Sequence, residues 1–441
     1  MSSAVATRHE SADDRTDESP GRVLVVLGTY PLLTTTFIDR EIRALRALGI
    51  DLRLLSIRRP PADAPLSSGQ QALAREVSYL LPVSVVSLAA TLVAETARRP
   101  MRCVGTFLYL LTRPHPTVRS RLKTALHFVL GVHAARIARS ERVDEVYAHF
   151  VDRAATLALT VSRLLELPYH LSVHAGADVF VQPVMLREKL RHASRVTTCT
   201  ERNKERLAEV VGPDGAAKVQ VVPHGIDLDS LPSVLTPRAG DPIVLAVGQL
   251  TERKGLHVLV LACARLRAGG VRFSCRIVGT GPQRAALERL ARALGVDDVV
   301  TFVGALPHEG VIEEYARASV FVMPCVTARD GDVDGIPNVL LEAMAMRLPV
   351  VSSDQAAIRE LVVDGENGLL VPPGDDIALA SALAQLFERR PLCARLAAAG
   401  RDTVRRRFDL ESNARLLASV LWSGWSGPED GCEEGAHGRV D

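Results

Sequence analysis

Cysteine pairs, an excess of charge of one sign and long apolar runs are all lacking in this chain of 441 residues. The seven cysteines are scattered and include no Cys-x-x-Cys pair, which argues against a zinc site and against a disulfide framework. An odd, dispersed set of thiols fits a reducing cytosol. The formal net charge is only +2, and this near balance argues against a general nucleic-acid-binding protein.

No segment has the apolar length of a membrane anchor. Residues 1–20 are polar and acidic and contain no apolar core of a signal peptide. The longest apolar run, Tyr79–Ala94, is interrupted by Pro82 and is shorter than the roughly 20 residues that span a bilayer. The sequence therefore predicts a cytoplasmic protein without a transmembrane helix, and it predicts disordered tails at 1–20 and 423–441.

Short apolar strands alternate with amphipathic helices along the rest of the chain, beginning with a strand at 22–27, a helix at 35–48 and a strand at 52–56. This alternation is typical of a parallel, doubly wound α/β sheet. A polar, proline-containing stretch then precedes a second unit of the same kind. We expect a first domain at 21–232, a second at 241–407 and a terminal helix at 408–422.

One region has a different composition. Residues 79–140 read as helices with both apolar and cationic side chains, and no acid lies between Arg98 and Ser140. In a chain that is nearly neutral overall, this is a strong local asymmetry. It predicts peripheral attachment to an anionic membrane surface, the inner face of the plasma membrane. The alternative is that the helices pack on the sheet and the arginines are merely solvated.

The most informative stretch is 330–349, where Asp334 and Glu342 flank a Gly-Ile-Pro turn and the first turns of a helix. Apolar strands precede and follow it, so both carboxylates lie at a strand-to-helix junction, where α/β proteins bind ligands. The helix start offers free N–H groups to a phosphate, and the carboxylates can accept hydrogen bonds from hydroxyl groups. This combination suggests a nucleotide-sugar, but a capped helix with solvated acids explains the spacing equally well.

The segment resembles the donor-site signature of family 4 of the retaining glycosyltransferases, in the branch that builds exopolysaccharides such as colanic acid. That signature has two glutamates; Asp334, one methylene shorter, stands at the first position and Glu342 at the second. The resemblance covers roughly residues 22–422. It implies the GT-B fold, an α/β fold in which two Rossmann-like domains face each other across a cleft and a C-terminal helix crosses back to the first domain. It also implies that Asp334 binds the donor sugar and Glu342 the ribose.

Further donor-site residues are implied by the same resemblance. Lys254 matches the lysine that holds the diphosphate, a task done elsewhere by a metal ion, so no metal and no cofactor are expected. Gln249 stands where the family has arginine, and Arg253 is the candidate replacement. In isolation this turn reads better as a solvated basic loop. The remaining donor-site residues implied by the resemblance belong to the glycine turns, the segment that contacts the base, and the helix start: Gly248, Gly279, Gly281, Val303, Gly335, Ile336, Pro337 and Asn338.

Candidate residues of the first domain follow its strands. His174 matches the family histidine that faces the donor sugar, and with Lys254 and Asp334 it forms the expected catalytic set. On the acceptor side we expect His149, Asp178 and the three threonines that follow the first strand: Thr34, Thr35 and Thr36. A single histidine is more often structural, and a threonine at this place equally suits a helix cap.

These residues predict a retaining glycosyltransferase that moves a sugar from a nucleotide-sugar donor to a hydroxyl of a lipid-linked or glycan acceptor. One alternative is a nucleotide-sugar 2-epimerase, whose additional acid and base residues are not evident in the sequence. Another is a non-catalytic nucleotide-sugar-binding module, which the departures at Gln249 and Asp334 favour. A dinucleotide-dependent dehydrogenase is disfavoured, because the third glycine of its fingerprint is missing after Gly279 and Gly281.

Overall fold

The computed structural model describes residues 21–422, apart from 175–178, 180, 182 and 233–239. Within this part of the chain, two parallel sheets form two Rossmann-like α/β domains, as the alternation of strands and helices predicts. The predicted disordered tails at 1–20 and 423–441 lie outside the described residues.

The first domain contains a seven-stranded sheet with the order β3-β2-β1-β4-β5-β6-β7. All of its pairings are parallel. The interior strand β1 is almost fully buried, because helices cover both faces of a parallel sheet. The strand bounds are β1 Val23–Thr29, β2 Leu52–Arg58, β3 Ser78–Tyr79, β4 Glu145–His149, β5 Tyr169–Val173, β6 Arg195–Thr198 and β7 Val219–Val221.

The second domain contains a six-stranded parallel sheet with the order β10-β9-β8-β11-β12-β13. Its central strands, β8 and β11, are apolar and buried. Because they are adjacent and parallel, the loops that follow them meet at one edge of the sheet. The bounds are β8 Ile243–Val247, β9 Ser274–Val278, β10 Val300–Gly304, β11 Val320–Met323, β12 Val350–Ser353 and β13 Leu369–Val371.

Helices connect the strands and cover both sheets. Those before β8 are Thr36–Ala47, Ser68–Glu76, Val85–Arg98, Pro100–Thr112, Val118–Ser140, Arg153–Leu165, Leu186–His192, Glu201–Val211 and Pro213–Ala216. Those after β8 are Leu256–Ala268, Arg284–Ala293, His308–Arg317, Asn338–Ala345, Ala356–Arg359, Asp376–Glu388, Arg390–Arg407 and Leu410–Leu421.

The last helix, Leu410–Leu421, returns to the first domain. Leu417 and Leu421 are buried in the same apolar cluster as Phe37 of the helix Thr36–Ala47. The indole Nε1 of Trp422 donates a hydrogen bond to Glu145 Oε2 at 2.6 Å. These contacts confirm the predicted crossing back of the C-terminal helix.

The region 79–140 begins with a strand rather than a helix, because Tyr79 pairs with β2 at the edge of the first sheet. Three helices then follow: Val85–Arg98, Pro100–Thr112 and Val118–Ser140. The long apolar run at the start of this region is therefore divided between a strand end and a helix, which sequence periodicity did not predict. In the described part of the chain, no helix combines the length and the apolar character needed to cross a bilayer.

Candidate functional site

A cleft of about 510 Å³ lies between the two domains. The first domain contributes the segment after β1 and the ends of β5 and β7; the second contributes the loops after β8, β9 and β11. Because the strands of each sheet are parallel, these loops all stand at the carboxyl ends of their sheets, where ligands bind in this class of fold.

Two glycines allow the loops of the second domain to pack closely. Gly279 has φ +133°, and a Cβ there would lie 1.9 Å from the carbonyl oxygen of Gly248. Gly255 has φ +64°, and its Cβ would lie 1.8 Å from the carbonyl oxygen of Pro324. Any side chain at either position would clash with backbone, so these glycines fix the loop carrying Lys254 against the ends of β9 and β11.

Asp334 lies at the centre of a group of charges on the second-domain wall. Its Oδ2 is 2.6 Å from Lys254 Nζ, and its Oδ1 is 3.4 Å from Arg253 Nε. Arg253 also pairs with Asp332. Burial and the neighbouring Asp334 carboxylate raise the pKa of the Cys325 thiol. Two cations and a half-buried carboxylate thus face the cleft beside the start of the helix Asn338–Ala345, whose dipole adds further positive charge.

Glu342 lies one turn inside that helix and is only 4% exposed. Its Oε1 is 3.0 Å from Nη1 of Arg40, a residue of the first domain. Its Oε2 accepts a hydrogen bond of 3.2 Å from the hydroxyl of Tyr315, and burial, with a smaller contribution from the neighbouring carboxylate, raises the pKa of that hydroxyl. Glu342 therefore lines the cleft and at the same time forms an ion pair between the domains.

Three histidines form a row from the interior of the first domain to the second domain. His149 Nδ1 lies 3.3 Å from His174 Nε2, and His174 Nδ1 lies 3.1 Å from His224 Nε2. His224 Nδ1 in turn lies 2.8 Å from Asn338 Oδ1, at the helix start of the second domain. The ring of Phe37 stacks on His224 with centroids 4.2 Å apart and an angle of 15°.

The hydrogen bonds of this row assign the tautomers of His174 and His224. With the amide oxygen of Asn338 facing it, His224 donates from Nδ1 and accepts at Nε2, so His174 donates from Nδ1. His174 Nε2 then accepts, either from His149 Nδ1 or from the hydroxyl of Ser172, each at 3.3 Å. His174 and His224 are therefore both neutral imidazoles, and both ring nitrogens of each take part in hydrogen bonds.

Burial is the main reason that the rings of His174 and His224 stay neutral. It lowers the pKa of His174 well below its usual value of 6.5, with smaller contributions from His224 and His149. It also lowers the pKa of His224 to about 4, although the hydrogen bond to Asn338 opposes the shift. A neutral imidazole at the cleft wall can orient a polar ligand but carries no charge for it near neutral pH.

This burial predicts a pH dependence of stability. Below pH 6.5 the two rings take up protons in the unfolded chain but not in the folded one; His224 becomes protonated in the folded chain at about pH 4, while the pKa of His174 lies well below its usual value. The contribution of these two neutral rings to the free energy of unfolding should therefore be complete above pH 6.5. It should fall on acidification by about 1.4 kcal/mol per pH unit for each ring. Urea unfolding at a series of pH values measures this slope.

The matched variant for that experiment is His224→Gln, which removes one titrating ring and keeps a polar side chain. Its stability should fall less steeply between pH 6.5 and pH 5 than that of the wild type. Carboxylates contribute equally to both slopes, so they cancel in the difference. Equal slopes for the two proteins would contradict the neutral state assigned to His224.

The structure brings most of the sequence-predicted residues to one cleft. The residues on its wall are Thr34, Thr36, His174, Gly248, Gln249, Arg253, Lys254, Gly279, Asp334, Gly335, Ile336, Pro337, Asn338 and Glu342. Asp178 lies outside the described residues.

Four predicted residues lie away from this wall. Thr35 is buried, and its hydroxyl bonds to the backbone of Leu32, so it acts in the turn before the helix rather than in the cleft. His149 is fully buried behind His174. Gly281 packs against the backbone of Leu250, and Val303 lies in β10 outside the lining.

Sequence reasoning missed two residues that cross between the domains. Arg40 lies in the helix Thr36–Ala47, and His224 lies just after β7. Arg40 is 302 positions from Glu342, and His224 is 114 positions from Asn338. The Pro-His-Gly-Ile-Asp segment at the end of β7 was the one local signal for His224.

Among the described residues, one group of side chains lies close enough together to hold a metal ion. Ligand atoms of His174, Cys199 and His224 lie within 4.8 Å of one another. His174 Nδ1 and His224 Nε2 already share the 3.1 Å hydrogen bond of the histidine row. That hydrogen bond accounts for the closeness of the two rings, and the expectation of a metal-free site stays a prediction.

Comparison with known proteins gives consistent results. Residues 229–403 match the family model described as glycosyl transferases group 1. The chain is 38% identical over 308 residues to the putative colanic acid biosynthesis glycosyltransferase WcaL of Salmonella typhimurium, covering 67% of this chain and 74% of that protein. It is 30% identical over 328 residues to the GDP-mannose-dependent alpha-(1-6)-phosphatidylinositol monomannoside mannosyltransferase of Mycolicibacterium smegmatis, covering 70% and 81%.

Solved structures show the same architecture. The complex of Anabaena HepE with UDP and glucose superposes with a TM-score of 0.66 at 17% identity, covering 91% of this chain and 99% of that one. At this identity the likeness shows the fold alone, and it confirms the predicted GT-B architecture.

Proposed function

This chain belongs to the group 1 glycosyl transferases, and from that premise we propose that it transfers a sugar from a nucleotide-diphosphate sugar to an acceptor hydroxyl, with retention of anomeric configuration. The observation that carries the proposal is the convergence of Lys254, Asp334, Glu342 and the helix start at Asn338 on one cleft. Cations suit a diphosphate and carboxylates suit sugar hydroxyls, and here both stand within one binding site.

Lys254 and the helix start would hold the diphosphate. Lys254 is paired with Asp334 at 2.6 Å, and Arg253 reaches the same carboxylate at 3.4 Å. An arriving diphosphate offers the ammonium a more highly charged partner. Positive charge there would stabilise the leaving diphosphate as the glycosidic bond breaks, so we expect no metal ion and no cofactor.

Glu342 would bind the ribose, and Asp334 the donor sugar. Glu342 Oε1 and Oε2 are each engaged by one protein donor, which leaves lone pairs of the carboxylate for ribose hydroxyls. Asp334, once Lys254 turns to the diphosphate, is free to accept from a sugar hydroxyl. Its shorter side chain places this carboxylate nearer the backbone than a glutamate would.

His174 would face the donor sugar from the first domain. Its Nδ1 and Nε2 are held by His224 and by His149 or Ser172, so the ring is oriented before the ligand arrives. His149 and His224 are therefore positioning residues. Because the ring stays neutral, it fits a role in orienting the sugar rather than in neutralising the diphosphate.

Retention would follow from chemistry on one face of the sugar. The acceptor oxygen bonds to the anomeric carbon as the bond to the diphosphate oxygen breaks, and the departing phosphate takes the acceptor's proton. No pair of carboxylates in the manner of a glycosidase is needed. The anomeric coupling constant of the product, measured by NMR, tests this step.

For the acceptor, we propose a lipid-linked or polysaccharide-precursor glycan of exopolysaccharide synthesis. The name of the Salmonella relative points to colanic acid biosynthesis, and that of the mycobacterial relative to a phosphatidylinositol mannoside. The Thr34 and Thr36 hydroxyls on the first-domain wall would contact this acceptor. One relative is named for GDP-mannose and one neighbour structure holds UDP, so the base of the donor is left open.

The test is a transfer assay with purified protein, a panel of UDP-, GDP- and ADP-sugars and a polyprenyl-diphosphate-linked sugar acceptor. Mass spectrometry should show an acceptor heavier by one sugar. A new nucleotide-sugar isomer without transfer would instead identify an epimerase. Binding of a nucleotide-sugar with neither product would identify a non-catalytic module.

Asp334 gives a sharper prediction about the sugar. The Asp334→Asn variant should lose turnover, by about tenfold or more, and should bind the free nucleoside diphosphate with little change, because that product lacks the sugar. The companion Asp334→Glu restores the residue of the family signature and should still support transfer. Equal losses in turnover and in diphosphate affinity for Asp334→Asn would contradict the assigned contact.

A further inference from the structure

Most of the exposed large apolar side chains in the described residues lie on one group of helices. Of fourteen such residues, ten belong to the helices Val85–Arg98, Pro100–Thr112 and Val118–Ser140. We call this surface the three-helix face. Its apolar members are Val85, Val86, Val93, Met101, Val104, Phe107, Leu108, Val118, Leu122 and Leu126.

Two of these helices have apolar side chains on their outer side as well as on the side that packs against the domain. In Pro100–Thr112, Cys103, Thr106 and Leu110 are buried against the domain, while Met101 and Leu108 are 85% and 53% exposed. In Val118–Ser140, Thr124 and Phe128 face inward, while Val118, Leu122 and Leu126 stand outward at a spacing of four residues. Exposed apolar side chains that cluster on one surface mark a contact with another molecule or with lipid, and no described residue covers the outer side here.

The charge of the three-helix face has one sign. Arg119, Arg121 and Lys123 are exposed between Val118 and Leu126, and they form no ion pair with any described residue. The only acid between residues 85 and 140 is Glu95, which is 3% exposed and held by Arg139 at 2.7 Å. The apolar residues are therefore accompanied by free cations, without an exposed acid on the same helices.

We propose that the three-helix face docks on an anionic lipid bilayer, with its apolar side chains inserted among the lipids and Arg119, Arg121 and Lys123 beside the headgroups. Apolar insertion and attraction of cations to anionic lipid act together in this kind of binding. A second copy of the chain is the other possible occupant. In a two-fold contact this face would meet itself, and the three cations would then face like charges with no acid between them.

The proposal does not depend on the donor site, so its test needs no nucleotide-sugar. The full chain is mixed at low salt with vesicles of phosphatidylcholine, with or without phosphatidylglycerol, and floated through a density gradient. The protein should float only with the phosphatidylglycerol vesicles, and added salt should release it. Protein that stays unbound to these vesicles at low salt would overturn the proposal.

Two variants separate the contributions of charge and apolar insertion. Charge reversal by Arg119→Glu, Arg121→Glu and Lys123→Glu should lower the vesicle partition coefficient at least about tenfold. Polar replacement by Met101→Ser, Leu108→Ser and Leu122→Ser should lower it similarly, and these exposed positions tolerate serine without loss of the fold. The matched control makes the same charge change on the second domain: Arg272→Glu, Arg289→Glu and Arg406→Glu.

The control variant should bind vesicles like the wild type. An equal loss in the control would mean that only the net charge matters, which contradicts a specific face. Light scattering of each protein without vesicles gives the remaining outcome. A wild-type dimer that the three serine replacements convert to a monomer would assign the face to a second copy and would overturn lipid docking.

Discussion

Replacing Lys254 by alanine is expected to lower kcat/KM for the nucleotide-sugar at least about a hundredfold. Lys254 is 9% exposed, and its ammonium stands on the cleft wall 2.6 Å from Asp334. In the proposed complex it faces the diphosphate, where negative charge grows as the sugar departs. Removal of one preorganised donor to such a charge lowers the rate by about 10²–10³. Initial rates at a series of donor concentrations measure the effect.

The fold should survive this replacement. Asp334 keeps Arg253 as a neighbour at 3.4 Å, so the carboxylate is not left without a cation. The matched control is Lys204→Ala, which removes an exposed lysine of the helix Glu201–Val211 and should leave kcat/KM unchanged. Wild-type kcat/KM in Lys254→Ala, with an unchanged Tm, would remove Lys254 from the donor site.

The second large effect is expected at Glu342. The Glu342→Gln variant should bind the nucleoside diphosphate about 10 to 150 times more weakly, because a hydrogen bond to a charged group contributes about 1.5–3 kcal/mol. Glutamine is the better test than alanine. Truncation would leave Arg40 and the Tyr315 hydroxyl facing a void, and breaking a buried ion pair costs about 3–5 kcal/mol of stability.

A companion variant separates the two contacts of Glu342. Arg40→Met breaks the ion pair between the domains and leaves the carboxylate in place. We expect its affinity for the diphosphate to stay near that of the wild type, while Glu342→Gln loses affinity. If both variants lose affinity for the diphosphate equally, the loss is caused by breaking the ion pair between the domains and not by losing a contact with the ribose.

The strands and the donor-side loops were largely accessible to sequence reasoning, because buried parallel strands are short apolar runs that stand out from polar turns. The alternation placed Val23–Thr29 and Ile243–Val247 correctly to within a few residues. Asp334 and Glu342 were found because they follow such a strand, and the carboxyl ends of parallel strands meet at one edge of the sheet, whereas Lys254 was found through its match to the glycosyltransferase signature.

The contacts between the domains were not accessible in the same way. The pairing of Arg40 with Glu342, and of His224 with Asn338, depends on how the two domains face each other, which no local pattern encodes. Val303 lies outside the wall of the cleft for a different reason. A turn or strand end identifies a neighbourhood, but only the backbone geometry decides which side chains there reach the cleft.

The most direct test of the donor site is isothermal titration of the purified protein with UDP, GDP and ADP, alongside the Lys254→Ala variant. We predict that at least one of these nucleotides binds the wild type at one site per chain, and that Lys254→Ala binds it at least about tenfold more weakly with an unchanged Tm. Absence of binding by all three nucleotides, or equal affinity in wild type and variant, would contradict a donor site in the cleft between the domains.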